Sequence, residues 1–329
     1  MSKCTTKKIT SIGGSALLEG IMMRGPKNTS VAVRKEDGSI YKQDVEFNPI
    51  AKKSAFFRIP IIRGIFGFID SMRLSYKCLM ISADVAMEDA GKTEEEPSKL
   101  EKWLDDKLGD KLTSIIMVIA AVLGVALAVF LFFFVPSWLF KFLMSFFPGW
   151  DTASWQYSLL KSVFEGMLKI ILFISYIAVI SLMPDMKRTF MYHGAEHKTI
   201  FCYENDLELT VENVKKQSRF HPRCGTSFLI IMLLVGIIIG FFIRIENVFL
   251  RVVVKILLLP LTMGVGYELI KVCGRYQNTF TRIVSAPGMW AQHITTKEPD
   301  DKMMEIAIAA MQDVIPENGE DLVDCKSNK

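Results

Sequence analysis

The sequence predicts a mainly α-helical membrane protein with about four transmembrane helices, interfacial helices and a small N-terminal cytosolic β-hairpin domain. Three observations lead there. Half of the 329 residues are hydrophobic while 22% are charged, so apolar and charged residues must be segregated along the chain. From Leu112 to Phe140 there is no charged residue over 29 positions, where roughly 20 suffice to cross the hydrocarbon core. The net charge is only +4 and the basic residues flank the apolar runs, a pattern of membrane anchoring and not of a nucleic-acid partner.

The first segment, residues 1–54, opens with Lys3, Lys7 and Lys8. Gly13, Gly14, Glu19 and Arg24 interrupt the apolar residues behind them, so no cleavable signal peptide is expected. Val31 to Phe47 alternates apolar and polar residues around Asp37-Gly38, a dipeptide suited to a tight hairpin because both central residues take positive φ. Residues 55–111 are read as amphipathic helices at the membrane surface, the first broken at Pro60 and Gly64, followed by a polar linker from Lys92 to Lys99 and a short amphipathic helix.

Transmembrane helices 1 and 2 fall within residues 112–183. The first runs from Leu112 to Phe140 and ends among Trp138, Trp150 and Trp155, residues that favour the headgroup level. The second runs from about Ser162 to Met183, with Glu165 and Lys169 four apart and able to pair; an ion pathway through Glu165 is the functional alternative. Residues 227–270 hold the third span, Ser227 to Ile243, and the fourth, about Val248 to Ile270, which Pro260 is expected to kink. Residues 271–329 form a cytosolic C-terminal segment, helical from Asp300 to Val314 and then a disordered polar tail. The loop between spans two and three carries Lys187, Arg188, Lys198, Lys215, Lys216, Arg219 and Arg223, whereas the loop between one and two has only Lys141 and Lys161 at its edges. By the positive-inside rule this is a multi-pass protein of the inner membrane with both termini cytosolic. Its expected partners are the lipid bilayer and other membrane proteins.

The cytosolic loop of residues 184–226 concentrates the chemistry. Three of the four histidines lie there with a cysteine: His193, His197, His221 and Cys224. His193-Gly194-Ala195-Glu196-His197 is an H-x-x-E-H pattern, which on a helix puts both imidazoles on one face with a carboxylate beside them. That suits two ligands of a zinc ion, or another divalent transition metal, and a general base, Glu196. The bland alternative is a half-buried stripe of Phe190, His193, His197, Ile200 and Glu204 whose histidines hydrogen-bond to neighbours. Gly194 would mark close approach of another backbone. Cys224 is open to three roles: metal ligand, nucleophile at a helix N-terminus, or small apolar filler. Glu19 and Arg24 are polar residues among small ones and either reach the same site or form a salt bridge. The glycine-rich run Gly13 to Gly25 lacks the lysine and hydroxyl of a P-loop. The six cysteines show no paired spacing, so free thiols or one metal ligand are expected. Neither Gln292 nor His293 has a spacing that fixes a role.

Four separated stretches, GGSALLEGIMMRGP, FMYHGAEHKTIFCYE, HPRCGTSFL and PGMWAQHITTKEP, together resemble the YqhQ-like family of membrane proteins of mainly Gram-positive bacteria. The resemblance covers nearly the whole chain after the first ten residues. It implies a membrane location and, since members are commonly labelled metal-dependent enzymes, a metal site at His193, Glu196, His197, His221 and Cys224 with Glu19 and Arg24 as companions. Such proteins often follow this glutamine with leucine where the present chain has Gln292-His293, which argues against a necessary role for His293. Two functions are weighed: a zinc-dependent hydrolase whose site lies on the cytosolic face, and a non-catalytic scaffold or regulator in which all four ligands close a structural site.

The topology is directly testable. Reporters fused after Lys329 and inserted near Asn205 are expected to read cytosolic, and one near Asp151 external; an external signal near Asn205 would overturn the scheme.

Overall fold

The computed structural model describes residues 8–50, 54–90, 115–116, 118–276 and 278–323. By its contacts the chain forms two compact units, one of Met1–Asp89, Phe173–Val235 and Pro260–Lys329, the other of Ala90–Leu172 and Gly236–Leu259.

The first unit is organised by an antiparallel sheet of β2 (Gly13–Leu17), β3 (Gly20–Arg24), β4 (Thr29–Arg34) and β5 (Ile40–Asp44), in that order. The hairpin expected around Asp37-Gly38 joins β4 to β5, with Gly38 at φ 85°. It is only half of the sheet, because the glycine-rich run supplies β2 and β3. Both faces of β3 are covered. Ile21 and Met23 point into one cluster with Tyr192, Met303, Ile306 and Met311. Met22 joins Leu17, Val31 and Val33 in a second cluster, where Leu74, Cys78 and Val85 cover them.

Those last three residues belong to α1 (Ile62–Ala90), a single helix of 29 residues that lays one face on the sheet. The break expected at Pro60 and Gly64 falls instead at its entrance, where Ile61 has φ 72°. Gly64 continues the helix and admits the backbone of Gly264: a Cβ there would lie 3.0 Å from Gly264 Cα. The linker Lys92 to Lys99 and the short helix read behind it lie outside the described residues. On the other face of the sheet pack α4 (Pro184–Glu204) and α10 (Asp301–Gln312). Asp300 caps α10 by accepting the Met303 N–H at 2.8 Å, and Met303, Met304, Ile306, Ala307, Ala310 and Met311 are all buried. The tail is not wholly disordered as expected. Leu322–Val323, β6, pairs with Ile9–Thr10, β1, and the buried Asp321 accepts a hydrogen bond from the Thr10 hydroxyl at 2.6 Å.

Among the described residues three helices are long and apolar enough to cross a membrane: α2 (Val118–Met144), α3 (Trp155–Ile180) and α6 (Gly225–Phe242). A fourth candidate is the pair α7 (Val248–Leu257) and α8 (Leu259–Arg275), bent by 48° at the break. Pro260 occupies the first turn after it, as the kink expected from its ring requires. Many of their large apolar side chains are exposed, among them Leu123, Val125, Val179, Ile238, Phe242 and Phe249.

Within the second unit Glu165 does not pair with Lys169, as its spacing suggests. Lys169 lies over the Phe133 ring, and Glu165 is bound by Arg251, Lys255 and the Ser137 hydroxyl. Two cations from a distant helix neutralise a buried carboxylate more fully than one neighbour on its own helix.

The layered core of the first unit gives a test. Ile306→Ala deletes a side chain with no exposed surface, and it is expected to lower stability by about 2–4 kcal/mol, read as reduced thermal or denaturant midpoint in detergent.

Candidate metal centre

Helix α4 begins at Pro184, where the missing N–H costs nothing. It brings His193 and His197 one turn apart, with ring centroids separated by 4.4 Å. Between them Gly194 is crossed by the extended chain that follows α9 (Thr279–Thr295). A Cβ on Gly194 would collide with the Lys297 carbonyl oxygen and lie 3.4 Å from Pro299 Cδ. The Lys297 N–H donates to the Phe190 carbonyl at 2.8 Å, so backbone meets backbone, as the glycine predicts.

This crossing fixes the imidazoles. The Thr295 carbonyl accepts from His193 Nδ1 at 2.9 Å, and the Arg219 carbonyl accepts from His197 Nδ1 at 2.6 Å. A carbonyl cannot donate, so each Nδ1 carries the proton and Nε2 is left to face the site. His193 Nε2 is 3.2 Å from Cys224 Sγ. One ligand atom from each of His193, His197 and Cys224 falls within 4.8 Å of the others. Cys224 stands immediately before α6, and its sulfur accepts the Thr226 N–H at 3.4 Å.

The charges fit a cation site. Burial alone would push the Cys224 thiol up, but His193 and His197 outweigh it and hold it well below the usual thiol range. Burial would likewise depress His193, yet the adjacent thiolate lifts that imidazole to about 9. Without a metal this is a thiolate–imidazolium pair, with His193 Nε2 at 3.2 Å from the sulfur; once that proton is displaced, the thiolate and the two imidazole Nε2 atoms form a donor set of the kind that binds zinc. Glu196 turns to the same place. Its Oε1 accepts the Gly14 N–H at 3.0 Å, and burial pushes its carboxyl up against the opposing pull of the two imidazoles. Gly14 permits the approach, since a Cβ would lie 2.6 Å from the Met22 carbonyl and 3.0 Å from Glu196 Cδ. A cavity of about 830 Å3 opens over these residues, lined also by Gly13, His221, Arg223 and Tyr267.

The remaining residues singled out by sequence are placed differently. His221 lies beside His197, with ring centroids 5.5 Å apart, but its nitrogens face Arg223 and Glu204. Burial holds its imidazole down at about 4, hence neutral. Glu204 is buried, which would raise its carboxyl, yet His221, Arg223 and the Thr10 N–H hold it low. Glu19 and Arg24 do not meet. Glu19 is bound by Arg188 at 2.5 Å and by the Tyr192 hydroxyl, while Arg24 lies over the Phe47 ring. His293 is exposed and stacks on Phe220. Sequence reasoning missed Gln292, which is fully buried: its amide accepts the His221 N–H at 2.8 Å and donates to the His221 carbonyl at 2.8 Å and to the Ser227 hydroxyl at 3.0 Å. The one available signal was an amide side chain in the last turns of a helix, behind Met289, Trp290 and Ala291. Thr295 and Arg219 act through main-chain carbonyls, which no side-chain motif reveals.

Residues 59–317 match the family described as Protein of unknown function (DUF1385). The chain is 33% identical over 306 residues to the Uncharacterized protein YqhQ of Bacillus subtilis (strain 168), and the match covers 92% of each chain. No solved structure matches.

The Gln292 clamp is testable by itself. Gln292→Leu leaves the His221 N–H and the Ser227 hydroxyl without their partner and the His221 carbonyl with the longer Cys224 N–H contact of 3.4 Å, and is expected to destabilise by about 2–4 kcal/mol. Ser227→Ala, which removes only one of those bonds, should cost less in the same melting experiment.

Proposed function

Because the chain belongs to the DUF1385 family, whose relative YqhQ is itself uncharacterized, its activity has to be read from its own side chains, and we propose a membrane protein with a metal-dependent hydrolytic site. The metal is zinc or a similar divalent transition ion, held by His193, His197 and Cys224 at the cytosolic membrane surface. One observation carries this reading: three ligand atoms within 4.8 Å of one another, two of them imidazole nitrogens whose opposite nitrogens are tied to backbone carbonyls.

Three protein ligands beside a cavity are the pattern of a catalytic site with an open position, whereas a structural site is closed by four. His221 would be the fourth, but its nitrogens are turned to Arg223 and Glu204. A bound ion would supply Lewis acidity towards a carbonyl or water oxygen. Glu196, buried and pinned by Gly14, accepts a proton from the attacking water. As water oxygen bonds to the carbonyl carbon of an ester or amide, the bond to the leaving oxygen or nitrogen breaks, and Glu196 returns the proton to that group. The exposed apolar helices and the basic loop between the second and third spans support placement in a membrane with the site inside.

Elemental analysis of the purified full chain is expected to find about one equivalent of metal, lost in His193→Ala and in His197→Ala. Glu196→Gln should retain metal and thermal stability but lose rescue of a deletion strain, consistent with a roughly 10²–10⁴-fold loss of general-base catalysis. A metal-replete Glu196→Gln protein that complements fully would replace the hydrolase by the scaffold, and absence of metal from the parent protein would sink both.

A further inference from the structure

A second cavity of the first unit, of about 770 Å3, is lined by Arg24, Arg58, Arg63, Ser71, Ser75 and Phe57 among others. It shares Ser11, Gly13, Gly14 and Tyr267 with the cavity over the metal centre, so the two meet along the start of β2. Three arginines lining one concavity make it electropositive where no carboxylate answers them. Arg63 has its own in Glu268, and the carboxylate of Asp70, which also lines the cavity, accepts the Ile50 N–H and faces Arg73. Among the described residues Arg24 and Arg58 have no carboxylate partner; Arg24 only covers the Phe47 ring.

We propose that this second cavity binds the phosphate group of the molecule whose ester or amide bond is cleaved at the metal centre. Phosphate offers oxygens on three sides, which matches several planar forks and nearby hydroxyls better than a carboxylate does. The inference rests on the hydrolytic reading for its second half and on the arginines alone for its first. Gly13 is the junction: a Cβ built there meets nothing within 4 Å, so the strand leaves open space where the two cavities join. A substrate with its phosphate against the arginines would pass Gly13 to reach Glu196 and the ligands.

The test uses the detergent-solubilised full chain and calorimetric titration with inorganic phosphate, short-chain phosphatidic acid and short-chain phosphatidylcholine. Saturable binding of phosphate is expected, weakened about tenfold or more in Arg24→Gln and in Arg58→Gln. Binding of phosphatidic acid but not of free phosphate would identify a lipid headgroup as the source, with the same loss in the arginine variants. His193→Ala should leave phosphate binding unchanged, so failure of the metal reading and failure of this one are distinguishable. Gly13→Val, whose Cβ enters open space, should leave inorganic phosphate binding and the melting temperature unchanged. It should weaken phosphatidic acid, which is long enough to pass the junction, and abolish rescue of a deletion strain. No saturable binding of any phosphate probe, or binding indifferent to both arginine variants, overturns the phosphate site. Unchanged phosphatidic acid binding and full rescue in Gly13→Val overturn its connection to the metal centre.

Discussion

The contact on which the site depends is the passage of the chain at residues 296–299 over Gly194. It sets the Thr295 carbonyl against His193 Nδ1, and so decides which imidazole nitrogen faces Cys224. On the opposite side of the same helix the Gly14 amide reaches Glu196. Helix α4 is thus gripped between two foreign backbones, and each approach is possible only where a side chain is missing. Glycine inside a helix costs about 1 kcal/mol relative to alanine, a modest loss against the orientation that it permits. The site is therefore built less from His193, His197 and Cys224 themselves than from the main chain that holds the far sides of the two imidazoles.

That distribution explains what was legible in the sequence. The long apolar helices were legible because a 29-residue uncharged run leaves few alternatives in a chain that is 22% charged. His193 and His197 were legible because a helix converts a four-residue spacing into proximity without help from anything else. His221 was not, since whether it joins them depends on how the segment after the short helix Val211–Lys215 turns, and Gln292 and Arg223 decide that from far along the chain or from the neighbouring turn. The strands β2 and β3 escaped for another reason. Alternation marks a strand with one wet face, but Ile21, Met22 and Met23 are all buried, so the pattern is absent and the glycines suggest a loop.

Charge partners were the least readable feature. Glu165 has Lys169 four residues away, and local spacing favours that pair, yet its partners lie 86 and 90 positions on, at Arg251 and Lys255. Glu19 likewise bypasses Arg24 for Arg188. In both cases a buried or half-buried carboxylate takes the cations that tertiary packing delivers, because an incompletely paired charge in a low-dielectric setting is far costlier than one left in water. Local rules describe isolated helices, and these helices are not isolated.

The pairing of Ile9–Thr10 with Leu322–Val323 has a consequence for the order in which the protein is made. The sheet precedes the apolar helices along the chain, while α10, which covers the sheet, and the strand that closes on Ile9 follow them. Until α10 has been made, Met303, Ile306 and Met311 are missing from the core, and the Thr295 carbonyl has no fixed place above His193. A chain made only as far as α9 would carry His193, His197 and Cys224 and still lack the crossing of residues 296–299 that orients them.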